Sequence, residues 1–114
     1  MSKTHYKAEK EIPVINIKGT AWKNCKCGSW IAHWGNFSEE IVHKCSVKGC
    51  NEVGVLGAHI KLHDIEAKSK DGDDLSNKHF IVPMCDSHNK HPDVLTLKKG
   101  VIVVKASISE TCGQ

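Results

Sequence analysis

Two short-spaced pairs of soft ligands, set far apart in the chain, constrain it more than any other feature. Cys45-Ser46-Val47-Lys48-Gly49-Cys50 places two thiols around a tight turn, at which Gly49 permits a positive φ. Cys85-Asp86-Ser87-His88 places a thiol and an imidazole on what reads as the first turn of a short helix, limited by Pro92. Zinc takes four nitrogen or sulfur ligands in a tetrahedron, and two such pairs brought together by a fold supply them. Cys45, Cys50, Cys85 and His88 are therefore the expected ligands of a structural zinc ion. The competing reading makes these cysteines small buried hydrophobes. It fits poorly, because Lys44, Lys48 and Asp86 flank them closely.

The segments around the pairs complete an organisation. Val53 to Ile60 reads as a strand carrying two glycines. Residues 61–78 turn polar around Lys70-Asp71-Gly72-Asp73-Asp74 and read as a flexible loop, and His79 to Met84 returns as a second strand. Knuckle, β-hairpin and ligand-bearing helix together make a treble clef. Ahead of it, a polar arm leads to a strand over Ile12–Ile17, which Pro13 would confine to an edge. Ser29 is placed to cap a short helix with Trp30 and Trp34 one turn apart, and Ser38-Glu39-Glu40 reads as the start of another helical turn. The tail reads as a hairpin: Val94–Leu97, a Lys98-Lys99-Gly100 turn, then Val101–Ala106. The expected fold is one α+β domain over residues 1–114. It is a small zinc-stabilised treble clef with an added N-terminal strand and helix and a C-terminal β-hairpin.

Composition explains why a metal is needed. Of 114 residues 39% are hydrophobic and only 5% aromatic, a lean core that calls for a staple. The lysine-rich N-terminus shows no apolar run of the signal-peptide kind, and no stretch approaches the roughly 20 apolar residues of a membrane span. A cytoplasmic chain with reduced thiols and no membrane partner is the expectation, which favours metal over disulfides. The net charge is +3, and all 16 basic residues are lysine. Nucleic acid is compatible with this balance but not demanded by it, and the bidentate arginine fork is missing.

Other chemistry-bearing residues stay open at this level. Cys25 and Cys27 bind a second metal with His33 or His43, replace a ligand of the main site, or form an idle reduced pair on a turn. Cys112 reads as a free tail thiol. Trp22, Trp30, Trp34 and Phe37 form either a base-stacking surface or, as expected for tryptophans beside a cysteine turn, a small core. Asp71, Asp73 and Asp74 lack the glutamate that would complete a calcium loop, and read as solvated, as do His63 and Asp64.

Across 46 residues, Cys45 to Lys90, the chain resembles the HNH (His-Me finger) nucleases in their cysteine-bearing form. Gly57-Ala58-His59-Ile60 matches the family's histidine strand, and Ile81 to Asn89 matches the strand and helix that follow. The resemblance implies DNA as the substrate and His59 as the base that deprotonates water. It also implies a Mg²⁺ or Mn²⁺ ion that steadies the phosphorane. Asn89 stands where the family has its last histidine. Phe80 occupies the place of the family asparagine, with His79 one step away and Asn77 a further candidate. The helix pair is Cys-His rather than Cys-Cys, and Ala58 stands where many members carry a metal ligand. Read by itself, His59 is a base, a zinc ligand or a packed structural residue, and Asn89 a metal ligand or a hydrogen-bonding residue of the helix. Three functions follow: a metal-dependent endonuclease, a non-catalytic zinc module for nucleic acid or a protein partner, and a redox or metal sensor built on Cys25 and Cys27.

Overall fold

The computed structural model describes residues 4–17, 29–40, 44–53, 56–62 and 79–106. Among them are six strands and two helices: β1 (His5–Lys7), β2 (Ile12–Asn16), α1 (Trp30–Ser38), β3 (Leu56–Leu62), β4 (His79–Met84), α2 (Asp86–Asn89), β5 (Leu95–Leu97) and β6 (Ile102–Lys105). The strands form one antiparallel sheet in the order β1-β6-β4-β3-β2-β5, so the class is α+β.

Strand alternation sorts the side chains onto two faces. Ala58, Ile60 and Leu62 of β3 join Phe80, Val82 and Met84 of β4, Val14 of β2, Leu95 and Leu97 of β5 and Val103 of β6 in the main core. Phe80, Ile60, Met84 and Leu97 are fully buried, each contributing about 1.5–3 kcal/mol of transfer free energy. The residues between them face the other way. There Ile81 and Val104 pack with Trp34, and with Trp30, Phe37 and Ile102 around them, beneath α1.

Helix α1 forms where its cap and its apolar stripe agree. The Ser29 side chain accepts a hydrogen bond from the Ala32 N–H at 3.1 Å, while Trp30, Trp34 and Phe37 recur at helical spacing. Its seat on the sheet is Gly57, where an added Cβ would lie 2.4 Å from the Trp30 carbonyl carbon. Among the described residues, no new helical turn begins at Ser38. Ser38 is the last residue of α1, and Glu39 caps it in the left-handed region (φ 60°), donating its N–H to the Gly35 carbonyl at 3.2 Å.

The expected C-terminal hairpin is corrected. The turn itself is present, with Gly100 at φ 91°, but β5 pairs with β2 while β6 pairs with β4 and β1. Hairpin signals are local, and here the strands leaving the turn find better partners elsewhere. The four connecting residues 98–101 span at most about 18 Å between Leu97 and Ile102. Four strand spacings across a flat sheet would need about 19 Å even with that link fully straightened. The sheet must therefore curl, bringing β5 round towards β4 and β6. Residues 46–48 bridge the seam. Val47 pairs with Leu97, Lys48 N–H donates to Thr96 and Lys98 N–H to Ser46, while on the other side Ser46 N–H donates to Pro83 at 2.9 Å.

Pro13 does not mark an edge either, since β2 lies between β3 and β5. Among the described residues, pairing with β3 runs from Val14 to Asn16, so Pro13 is laddered only on its β5 side, against Thr96. The N-terminal arm also holds a strand the sequence did not signal, β1, joined to β6.

Candidate metal centre

The bridging turn carries two of the expected ligands. Gly49 takes φ 82°, the conformation its lack of a Cβ allows, and Cys50 N–H donates to the Val47 carbonyl at 3.0 Å. The turn is tied back by Cys45 N–H to Glu52 at 2.8 Å. Cys85 follows the last residue of β4 as the N-cap of α2, and His88 lies one turn on. Leaving the strand at that point brings its thiol over the turn.

The sulfurs of Cys45, Cys50 and Cys85 and a ring nitrogen of His88 all lie within 4.8 Å of one another. His88 Nδ1 is 3.3 Å from Cys85 Sγ and 3.5 Å from Cys45 Sγ. Ligands on a shared tetrahedral zinc stand roughly 3.5–3.8 Å apart, given bonds of about 2.1–2.3 Å. The three cysteines are buried and His88 is half-buried. Three thiols and one imidazole in that arrangement can hold a metal ion, and they are free of disulfides.

Burial pushes the Cys45 thiol up to about 11. It also raises Cys85, but the His88 N–H, the Cys45 and Cys50 thiols and the Ser87 N–H outweigh that and leave Cys85 lowered. Without an ion, Cys85 is thus the more readily ionised of the two thiols. A metal replaces the thiol protons.

The remaining sequence candidates are not drawn into this cluster. His59 is 8% exposed, on the α1 face, its ring centroid 4.3 Å from that of Trp30. His79 is exposed on the same face at the start of β4, opposite Lys61. Asn89 ends α2, its N–H donating to the Cys85 carbonyl at 3.0 Å. The carbonyls of His88 and His91 accept from the Asn16 amide, at 2.8 and 3.1 Å. Asn16 pairs with Ile60 and shares its face, so α2 is tied to the face opposite the His59 ring. Cys25, Cys27, Trp22, His43, His63, Asp64, Asp71, Asp73, Asp74, Asn77 and Cys112 lie outside the described residues. His33, the other second-site candidate, is fully buried on the sheet-facing side of α1 and donates from Nε2 to the Lys105 carbonyl at 2.8 Å. Desolvation holds its imidazole below the ordinary 6.5, against the opposing pull of that carbonyl. Trp34 Nε1–H donates to Ile102 at 2.7 Å, and Trp30 and Phe37 flank the same cluster, so these three belong to the core.

Sequence reasoning missed two residues that hold the centre's surroundings. One is Asn16, which was read only as part of a strand. The other is Lys98, assigned to a turn, whose ammonium donates to the Cys45 and Cys50 carbonyls at 3.0 and 2.8 Å. Neither has a sequence signal, because each acts on a segment remote in the chain. Compared with family models, with curated proteins and with solved structures, the chain matches none of them. Among the described residues, no helix is long and apolar enough to cross a membrane.

Proposed function

We propose that this chain is a zinc-stabilised binding module for nucleic acid, built on a treble clef in which the ion joins the 45–50 turn to the β3–β4 hairpin and the start of α2. The observation that carries the reading is the convergence of four protein donors within 4.8 Å. Four protein ligands leave no open position for water or substrate, which is the pattern of a structural zinc rather than a catalytic one. The choice of nucleic acid rests on charge. Lys44 and Lys99 are exposed around the turn, as is Lys48, which pairs with Glu11, and the net charge is +3.

Native mass spectrometry is expected to find one zinc per chain bound through these four residues, and a second zinc would implicate Cys25 and Cys27. Binding to a DNA or RNA duplex is expected to weaken steeply with salt. Absence of binding at low salt moves the reading to a protein partner.

A metal-dependent endonuclease is the second reading. It is favoured by His59 and His79 lying diagonally on one sheet face, with His59 opposite Ile81 and His79 opposite Lys61. It stands behind the first because the His59 ring packs on Trp30 and α2 is tied to the other face. Plasmid nicking with Mg²⁺ or Mn²⁺, abolished by His59→Ala with zinc retained, would reverse the order.

A further inference from the structure

The exposed lysines beside acidic groups behave conventionally: Lys48 pairs with Glu11 and Lys90 with Asp86, both at 3.1 Å. Lys98 does not. It is half-buried, no carboxylate pairs with it among the described residues, and its ammonium is directed at two neutral carbonyls, those of Cys45 and Cys50. Its own backbone N–H donates to Ser46, between those two cysteines in the chain, at 2.9 Å. Both ends of the residue thus grip the same turn. A half-buried ammonium held by two neutral carbonyls is favoured by a further source of negative potential nearby.

The cluster supplies that source once an ion is bound. Ligating thiols must be deprotonated and ligating imidazole neutral, so three thiolates on a divalent ion leave the centre with a net charge of −1. Bond lengths place the ammonium within about 8 Å of the Cys45 and Cys50 sulfurs. That is inside the about 10 Å over which charges act in 0.1 M salt.

We infer that Lys98 is a positioning residue of the metal centre, offsetting the negative charge of the three-thiolate site while fixing the turn that presents Cys45 and Cys50. The inference rests on the metal reading above. It makes the outer surroundings of the site part of its affinity, as hydrogen-bonding partners of metal ligands generally are.

The test is competition for Zn²⁺ between the full chain and a chromophoric chelator, with the Co²⁺ thiolate absorption as a second signal and circular dichroism as a check of folding. Lys98→Met is expected to weaken Zn²⁺ binding about tenfold or more. Lys98→Arg is expected to restore it to within about threefold and Lys98→Gln, a neutral donor, is not. In a Cys50→His background, where the centre is neutral, Lys98→Met is expected to cost less than about threefold. Unchanged affinity in Lys98→Met, or rescue by Gln as good as by Arg, overturns the inference and leaves the metal centre standing. A wild-type chain that takes up no ion overturns both.

Discussion

On one face of the curled sheet, aliphatic side chains from β2 to β6 pack against one another and run on to Cys45, Cys50 and Cys85. On the other, a single helix is laid across β3, β4 and β6, with Trp34 and His33 each donating to a carbonyl of β6. The first face is closed by segments distant in sequence, and the cluster brings the 45–50 turn to α2. The second is closed by one continuous segment with its own cap, its own aromatic stripe and a glycine seat. Damage on the first face should therefore spread through the fold, whereas damage on the second should stay graded.

The largest effect is expected at the cluster. On the zinc reading proposed above, Cys85→Ala or exhaustive chelation is expected to remove a contribution on the order of 10 kcal/mol, comparable to the whole stability of a small domain. Loss of cooperative thermal unfolding is the readout. A chain that melts unchanged after chelation breaks the contrast between the faces. Next comes Gly57→Ala, which sets a methyl 2.4 Å from the Trp30 backbone and forces α1 off its seat. A cost of about 3 kcal/mol in denaturant unfolding is expected, with zinc stoichiometry unchanged. Trp34→Phe keeps the ring packing but leaves the Ile102 carbonyl without its donor, and should cost about 1–2 kcal/mol.

The smallest effect is a pH dependence confined to the helix face. Burial lowers the His33 imidazole from 6.5, so just below that pH the unfolded chain binds more protons than the folded one. Its contribution to stability is complete above 6.5 and falls as the pH is lowered through the window beneath it. Comparing wild type with His33→Gln between pH 7.5 and 5 should show a shallower acid loss in the variant. Equal slopes would remove His33 from the account.

The parts of the molecule legible in the sequence are those written locally. Gly49 between two cysteines announced its turn, Ser29 before Trp30 and Trp34 announced α1, and the spacing of Cys85 and His88 announced the start of α2. Bringing the two ligand pairs together followed from the coordination needs of a metal, which is why four side chains on remote segments could be named in advance. The partners of β5 and β6 could not be read, because the Lys98-Lys99-Gly100 signal specifies a reversal of direction but not the strand met beyond it. β1 was hidden by its brevity and its polar flanks. For His59 the strand is legible in the sequence, but the face it occupies depends on Trp30, which lies across it.

Residues 46–48 touch β5 on one side and Pro83 on the other, so among the described residues they act as a clasp on the border of the sheet. Whatever lets that clasp swing away bares the backbone groups of Thr96 and Leu97, along with a fully buried leucine. Unsatisfied borders of this kind are templates for a second chain. If the ion holds that clasp in place, as proposed above, its removal is expected to promote association between chains.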